Sequence, residues 1–522
     1  MTNPKNSFRE RKYEIIEKYF ISQSYFPILL IVASSFIVRL IYFPHDFPFV
    51  FDNLEYFLYA FDTSVQGKLP IEYSPANNGW PAFMAIIFSA FKFDDPILYM
   101  NLQRMVSTII STMTIIPVFL LSRKFFSRTF SLVGASIFAF EPRLIENSLT
   151  GVTEPLYIFL IAITLVLFLS RNSKIVYISF VTAAFASIVR SEGVIIFFII
   201  SIMFFVKNRK SIKVIPKYIP ALLIFILILL PMMNYKEEIH GDDRIFGRFG
   251  EAISDKKNVG LFEQENFKER IFTGITNFSK FFVWDMIPIF IIFVPVGFFL
   301  IFRDLNFNKI TLLISIIGMA IPAFYAYSLS SLDTRYLFAL YPMLSIISIF
   351  AIKKYVQKID RKKIFCVLII IGIFIVSNIF LDNSKIDYKH QKEAFVIAQY
   401  VTENTDGINF YSPESQFIKV AEVIKNWPKM LPTEISGHEI IMPRFSTNGY
   451  DSMKDFIENS KNDGLTHLVI DNNSDRPDFF KSVFKNEDVS YLIKQYDSKE
   501  DSNLDYHVKI FRIDYEDFEN NK

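Results

Sequence analysis

The sequence predicts a polytopic α-helical membrane protein of about eleven transmembrane helices followed by a C-terminal extracytoplasmic α/β domain. Three observations predict it. The 522 residues are 51% hydrophobic and 17% aromatic, with mean hydropathy +0.30, which exceeds what a soluble globular chain carries. Apolar runs of membrane length follow one another from about residue 24 to residue 381. Beyond residue 385 such runs shrink to strand length, as in INFY at 408–411 and THLVI at 466–470, and polar helix-like stretches separate them.

Spans are expected near 24–43, 98–121, 129–148, 155–170, 175–189, 193–206, 215–234, 281–302, 310–328, 335–351 and 364–381. The first follows a basic lead, SFRERKYEIIEK, and has no small-residue cleavage site, so it is read as a retained helix. Lys and Arg set the orientation, because short cytoplasmic loops hold the positive excess. Basic clusters precede span one (Arg9, Arg11, Lys12, Lys18) and follow span two (Arg123, Lys124, Arg128), span six (Lys207, Arg209, Lys210, Lys213) and span ten (Lys353, Lys354, Lys358, Arg361, Lys362, Lys363). All fall on one side of an eleven-span path. The expectation is a multi-pass cell-membrane protein with a cytoplasmic N-terminus and an extracytoplasmic tail.

The domain reading follows from this path. Residues 1–384 form the membrane domain, with a first outer loop at 44–97 and a long outer loop at 235–280, and residues 385–522 form a separate soluble domain. The long loop mixes acids with bases, and loops of that length obey the charge rule weakly. No internal repeat is evident, which speaks against a two-fold transporter architecture. The single cysteine, Cys366, lies in an apolar run and excludes an internal disulfide. Net charge is +2, and nothing in the pattern points to nucleic acid.

Ionisable residues near membrane depth gather on the outer side. Asp52 and Glu55 fall in the first outer loop beside Tyr56, Arg104 near the outer start of span two, and Glu154 at the outer start of span four. Arg190 and Glu192 form the turn between spans five and six, and Asp333 and Arg335 precede span ten. Charges that merely anchor helices in headgroups would occur at both ends of spans and in either sign. Here the inner ends carry Lys and Arg, while the outer ends mix acids with isolated arginines. Arg clamps phosphate oxygens bidentately, and a neighbouring carboxylate can act as general base for a hydroxyl. Such a set suits a lipid phosphate at headgroup level.

The motifs resemble the membrane-embedded GT-C glycosyltransferases, in particular glycosyltransferase family 39, the protein O-mannosyltransferase and aminoarabinose-transferase-like group. They run in order through DNLEYFLYA at 52–60, YSPANNGWPAF at 73–83, LQRMVSTIIS at 102–111, TEPLYIFL at 153–160, IVRSEG at 188–193 and DTRYLFALYP at 333–342. The resemblance implies an inverting transfer of a sugar from a dolichyl- or undecaprenyl-type polyprenyl phosphate to a hydroxyl on a protein, lipid or glycan acceptor. It implies that Asp52 is the catalytic base, that Glu154 is the second acid, and that Arg104, Arg335 and Arg190 serve the donor phosphate. Glu55, Tyr56, Glu192 and Asp333 support these groups or meet the acceptor.

Two departures stand out. The first loop has Asp52 followed by Asn53 rather than by a second acid, and Asn78-Gly79-Trp80-Pro81 stands where one branch carries a Lys before paired prolines. Glu55, three positions after Asp52, shares its face if the segment is helical, and either acid could instead cap a short helix starting near Leu54. The segment 79–91 is too short to span and reads as an interfacial helix framing the donor tail. Carboxylates suit Mg²⁺ or Mn²⁺, yet the resembled enzymes include metal-dependent and metal-free members, so no metal is assigned. The tail has no WWDYG-like motif, which argues against an oligosaccharyltransferase catalytic subunit. Trp284-Asp285 reads as an interface anchor, and sequons stand at Asn277 and Asn472.

Two other readings compete with the enzyme. A secondary transporter or lipid flippase would place ionisable groups near the bilayer midplane and break helices in both halves. An inactive transferase-like scaffold would use the tail to bind a partner.

Overall fold

Proline sets where many of the helices begin, and the computed structural model shows the pattern repeatedly. Pro142, Pro155 and Pro342 each occupy the first turn of a helix, where a missing N–H leaves no bond unmade. The structure describes residues 25–241, 267–384, 388–411, 415–431, 445–473, 475–486 and 489–520, apart from 72, 74, 76 and 448. The basic lead before the first helix and most of the loop 235–280 lie outside the described residues.

In chain order the helices are α1 Phe26–Ile41, α2 Asp52–Gln66, α3 Gly79–Phe88, α4 Pro96–Met113, α5 Ile115–Ser122, α6 Arg128–Ala139, α7 Pro142–Ser148, α8 Glu154–Phe168, α9 Ser173–Val189, α10 Gly193–Asn208 and α11 Val214–His240. They continue with α12 Phe267–Met286, α13 Phe290–Ile301, α14 Phe307–Ser328, a 3₁₀ helix Thr334–Leu340, α15 Tyr341–Val356 and α16 Lys362–Asn383. Among the described residues five helical stretches are long and apolar enough to cross a membrane: Pro96–Ser122, Val214–Ile239, Phe307–Ser328, Thr334–Val356 and Lys362–Asn383. A sixth stretch, Lys268–Met286 with Phe290–Ile301, is bent by 113° at its break. The expected span at 129–148 is divided into α6 and α7, because Pro142 prevents α6 from continuing. Shorter apolar helices, α1, α3, α6, α8, α9 and α10 among them, make up the rest of the bundle.

The chain divides into two compact units. The first comprises Met1–Pro44, Ser74–Met84 and Asn101–Ile386. One continuous apolar core runs through it from Ile28 to Ile373, with α8 packed on α9, α13 on α15, and α9 on α11. Cys366 is buried in that core, where it packs as a small apolar side chain. Arg39 is completely buried, and its guanidinium donates to Ser148 Oγ and Ser111 Oγ at 3.2 Å each, to the Ala139 carbonyl at 3.2 Å, and to Ser35. One side chain thereby joins α1 to α4, to the end of α6, and to α7.

The second unit comprises His45–Tyr73, Ala85–Met100 and Asp387–Lys522. Its remaining elements are α17 Lys389–Asn404, β1 Ile408–Tyr411, α18 Ser415–Met430, α19 Met453–Lys461, β2 Leu465–Asp471, α20 Asp478–Asn486, β3 Leu492–Asp497, α21 Ser498–Ser502, β4 Val508–Ile513 and α22 Tyr515–Asn520. The four strands form one sheet in the order β1-β2-β4-β3, with β1 parallel to β2 and the other pairs antiparallel. Phe410, Phe456, Leu468, Phe480 and Phe511 lead its core. The α2 helix belongs to this unit through an aromatic cluster in which Trp427 lies 4.2 Å from Phe61, 5.9 Å from Phe57 and 5.8 Å from Tyr99 between ring centroids.

Candidate functional site

The site in the first unit is built where α8 begins, α9 ends and α10 begins. Glu154 opens α8 directly before Pro155, so its carboxylate lies at the helix N-terminus, an end that favours negative charge. Arg190 leaves α9 in an extended conformation, and the turn to α10 closes with Gly193 N–H donating to the Arg190 carbonyl at 2.8 Å. Only glycine fits at two points of this frame. A Cβ at Gly193 would stand 2.4 Å from the backbone carbon of Ala186, and one at Gly79 would stand 2.6 Å from the Ile188 carbonyl oxygen. The close approach of α3 to the end of α9 thus fixes the chain just before Arg190.

Arg190 is the hub. Its Nη1 donates to Glu154 Oε1 at 2.6 Å and to Thr153 Oγ1 at 3.2 Å, and its Nη2 donates to Glu192 Oε1 at 3.0 Å. Its guanidinium carbon also lies 5.8 Å from the centroid of the Tyr157 ring. Glu154, Tyr157, Arg190, Glu192, Arg335 and Tyr336 line one partly open cavity, walled on its apolar side by Met319 and Pro322. Arg335 enters from the 3₁₀ helix, where Asp333 caps the helix by accepting from the Arg335 N–H at 2.9 Å and pairs with the Arg335 guanidinium at 2.7 Å. Tyr327 donates to the Asp333 carbonyl at 3.1 Å and holds that corner.

The structure therefore brings Glu154, Arg190, Glu192 and Arg335 to one cavity, with Asp333 bonded to Arg335. Arg104 does not line it. Its guanidinium is buried and donates to the Pro44 carbonyl at 3.4 Å and to Asn101 Oδ1 at 3.1 Å. Asp52, Glu55 and Tyr56 belong to the second unit, where Asp52 and Glu55 occupy the exposed first turn of α2 and Tyr56 is buried. The α2 helix begins at Asp52, two residues before Leu54, and neither acid caps it: Phe51 holds the N-cap position without a side-chain bond. Phe51 adopts φ 53°, a conformation costing a non-glycine residue roughly 1–3 kcal/mol, immediately before Asp52.

Sequence reasoning missed a second buried group in the same unit. Arg143 lies 3.5 Å from Glu141 and 3.5 Å from Asp285, and it donates to the Trp284 carbonyl at 2.8 Å and to the Ile287 carbonyl. Asp285 is thus no interface anchor: it is 2% exposed, whereas Trp284 is 56% exposed. Trp80 is fully buried, with Nε1 donating to the Gly151 carbonyl at 2.8 Å, so the start of α3 is held by packing. The Asn277 amide donates to the Tyr327 carbonyl at 3.2 Å inside the bundle, and Ser474 of the other sequon lies outside the described residues. The signal for Arg143 was available as ionisable residues set between apolar runs.

Solved structures with a similar fold include the oligosaccharyltransferase of Archaeoglobus fulgidus in its apo form, at TM-score 0.57 and 13% identity over 92% of this chain and 74% of that one. The same protein, AglB, in complex with an inhibitory peptide and a dolichol-phosphate aligns at TM-score 0.54 and 13% identity over 92% of this chain and 73% of that one. ArnT from Cupriavidus metallidurans bound to undecaprenyl phosphate aligns at TM-score 0.54 and 9% identity over 93% of this chain and 97% of that one. No curated protein matches in sequence. The fold of this chain is shared with these oligosaccharyltransferase and ArnT structures. With residues 103–423 matching its family, described as "Predicted membrane protein (DUF2079)", the chain belongs to the DUF2079 family of membrane proteins.

Proposed function

We propose that this protein is an inverting glycosyltransferase that moves a sugar from a polyprenyl phosphate to an acceptor hydroxyl at the extracytoplasmic membrane face. The observation that carries this reading is the single cavity in which two arginines and two carboxylates meet within a bundle of apolar helices. The fold adds support, since its structural neighbours include proteins solved with dolichol-phosphate and with undecaprenyl phosphate.

The two arginines divide their work. Arg190 is held by two carboxylates at 2.6 and 3.0 Å, so it is suited to positioning Glu154 and Glu192. Arg335 is paired with Asp333 and its side chain is 34% exposed, which makes it the better clamp for a lipid phosphate. In the reaction the acceptor oxygen attacks the anomeric carbon, the bond from that carbon to the phosphate oxygen breaks, and polyprenyl phosphate leaves with the electron pair. Asp52 takes the proton of the acceptor hydroxyl, a role resting on its place in the first-loop motif.

A zinc ion accompanies one of the similar structures. Among the described residues no three His, Cys, Asp or Glu side chains converge as metal ligands, and Glu154, Glu192 and Asp333 are each engaged by an arginine. These residues do not fit a resident divalent cation.

The test is transfer by membranes containing the protein, assayed against a panel of labelled polyprenyl-phosphate sugars. Transfer that is abolished in Asp52→Asn and strongly reduced in Arg335→Gln supports the reading. Full activity in Asp52→Asn removes the base assignment, and counterflow of labelled substrate in proteoliposomes without any transfer would replace the enzyme with a transporter.

A further inference from the structure

On the α8 side of the cavity wall, two polar atoms have hydrogen-bonding capacity left over. Tyr157 is 4% exposed and Glu154 is 3% exposed, and neither the Tyr157 hydroxyl nor Glu154 Oε2 has a hydrogen-bond partner among the described residues. A buried polar atom left unmade costs about 1–3 kcal/mol, so two of them on one helix call for an explanation. They are not strays. Glu154 and Tyr157 stand three apart on α8, hence on one face of it, and both line the same cavity.

The pair is also held rigidly. Arg190 binds Glu154 through Oε1 at 2.6 Å, which fixes the carboxylate and leaves Oε2 as its remaining acceptor. The same guanidinium lies 5.8 Å from the Tyr157 ring centroid, an attraction that steadies the ring against the ion pair. What could satisfy both atoms follows from their chemistry. A carboxylate oxygen only accepts, so the ligand must bring an O–H or N–H, and a phenol hydroxyl can donate or accept. A phosphate brings neither donor and is repelled by Glu154 and Glu192. Neighbouring hydroxyls on a sugar ring supply a donor and an acceptor at once.

Resting on the glycosyl-donor reading above, we propose that Tyr157 and Glu154 Oε2 read a hydroxyl of the sugar, while its lipid phosphate lies toward Arg335. Tyr157 is then a specificity-determining residue of the donor site. Neither atom is reached by solvent, so sugar entry must turn the Tyr157 ring slightly and supply the missing partners. A site built this way discriminates strongly against a sugar lacking the hydroxyl, because binding such an analogue leaves both buried atoms unsatisfied.

The experiment uses the full chain in lipid nanodiscs and the isosteric variant Tyr157→Phe, which keeps the ring and removes only the hydroxyl. The probes are bare polyprenyl phosphate, its mannosyl and glucosyl derivatives, and the corresponding 2-deoxy derivative, titrated by native mass spectrometry. The wild-type protein is expected to prefer one glycosylated lipid over the bare one by about tenfold or more, and Tyr157→Phe to lose about five- to tenfold of that preference with bare-lipid affinity within about twofold. Retention of the full preference in Tyr157→Phe overturns the proposal, and so does an equal weakening of every lipid, which would make the ring a packing element. Wild-type protein that binds bare polyprenyl phosphate but prefers no glycosylated form overturns this inference alone. Wild-type protein that binds none of the lipids removes the donor reading as well.

Discussion

Arg190 and Glu154 form an ion pair of 2.6 Å in which the arginine side chain is 12% exposed and the glutamate 4%. The pair joins the end of α9 to the start of α8, and its second nitrogen recruits Glu192 from the start of α10. Removing the arginine leaves two carboxylates facing each other across a cavity in a largely dry bundle. Arg190→Met is therefore expected to cost roughly 3–5 kcal/mol, and Glu154→Gln should recover part of that in the double variant, with a coupling of about 1–3 kcal/mol. Apparent melting temperatures of the four proteins of the cycle in one detergent measure it, and strictly additive shifts would refute the pairing. Arg190→Lys keeps the charge but cannot bridge both acids with a planar fork, so it should fall between wild type and Arg190→Met.

Much of this cavity was legible in the sequence, because charges at the mouths of apolar runs are costly to keep and tend to share a purpose. Glu154, Arg190, Glu192 and Arg335 were found by that rule, and the structure gathers them. The same rule, applied to Arg39 within the first apolar run and to Glu141 and Arg143 between two others, would have found the remaining buried charges. Tyr157 could not be found this way: an aromatic in an apolar run contributes to hydropathy, and only the missing partner of its hydroxyl sets it apart. The grouping of α2 with the tail was equally hidden. It depends on Phe57 and Phe61 meeting Trp427, a contact between segments far apart in the chain that no local pattern encodes.

Two glycines offer a controlled contrast. Gly193→Ala would place a Cβ 2.4 Å from the Ala186 backbone carbon, so the turn carrying Arg190 and Glu192 must move. Gly372, inside α16, has nothing within 4 Å of the corresponding position. Gly193→Ala is expected to destabilise by about 1–3 kcal/mol as overpacking does, whereas Gly372→Ala should be neutral or stabilising by up to about 1 kcal/mol through helix propensity. Paired melting curves decide it, and equal effects of the two substitutions would contradict the close approach of α9 and α10.

The second unit carries a pH dependence of predictable sign. His467, in the middle of β2, is buried, and burial together with the neighbouring Arg512 lowers its pKa below 6.5, against a smaller opposing pull from Asp406. The unfolded chain then takes up a proton near pH 6.5 that the folded unit refuses, so stability is full above that pH and falls as the pH drops below it. Asp497 acts lower. Burial pushes its carboxyl up, but the His507 hydrogen bond and the Lys499 and Glu500 N–H groups outweigh that and hold it below 3.8, so its contribution persists until strongly acidic pH. Hydrogen exchange of the β2 and β4 amides, corrected for intrinsic rates, should therefore accelerate between pH 7.5 and about 5 in wild type and stay flat in His467→Asn. An unchanged profile in that variant would assign the acid sensitivity elsewhere.

Arg143 tests whether the bent span is held by charge. The helix pair α12 and α13 turns through 113°, and the carbonyls of Trp284 and Ile287 beside the break accept from the Arg143 guanidinium, the first of them also from the Ile287 N–H at 3.1 Å. In a membrane the Ile287 carbonyl has no water to turn to, so leaving it unmade costs several kcal/mol. The same guanidinium is the ion-pair partner of both Glu141 and Asp285, whose carboxylates are almost wholly buried. Loss of Arg143 thus removes two kinds of compensation together. Arg143→Met should abolish folded protein at 37 °C or lower its melting temperature by more than any single change at Arg190, whereas Asp285→Asn alone should be mild, since it deletes one buried charge and leaves Arg143 paired with Glu141. The combination of Arg143→Met with both Glu141→Gln and Asp285→Asn separates the two contributions: a near-complete rescue assigns the cost to charge, and no rescue assigns it to the carbonyls of the bend. Arg143→Met protein that folds with wild-type stability would mean that neither the ion pairs nor the carbonyl bonds hold this part of the bundle.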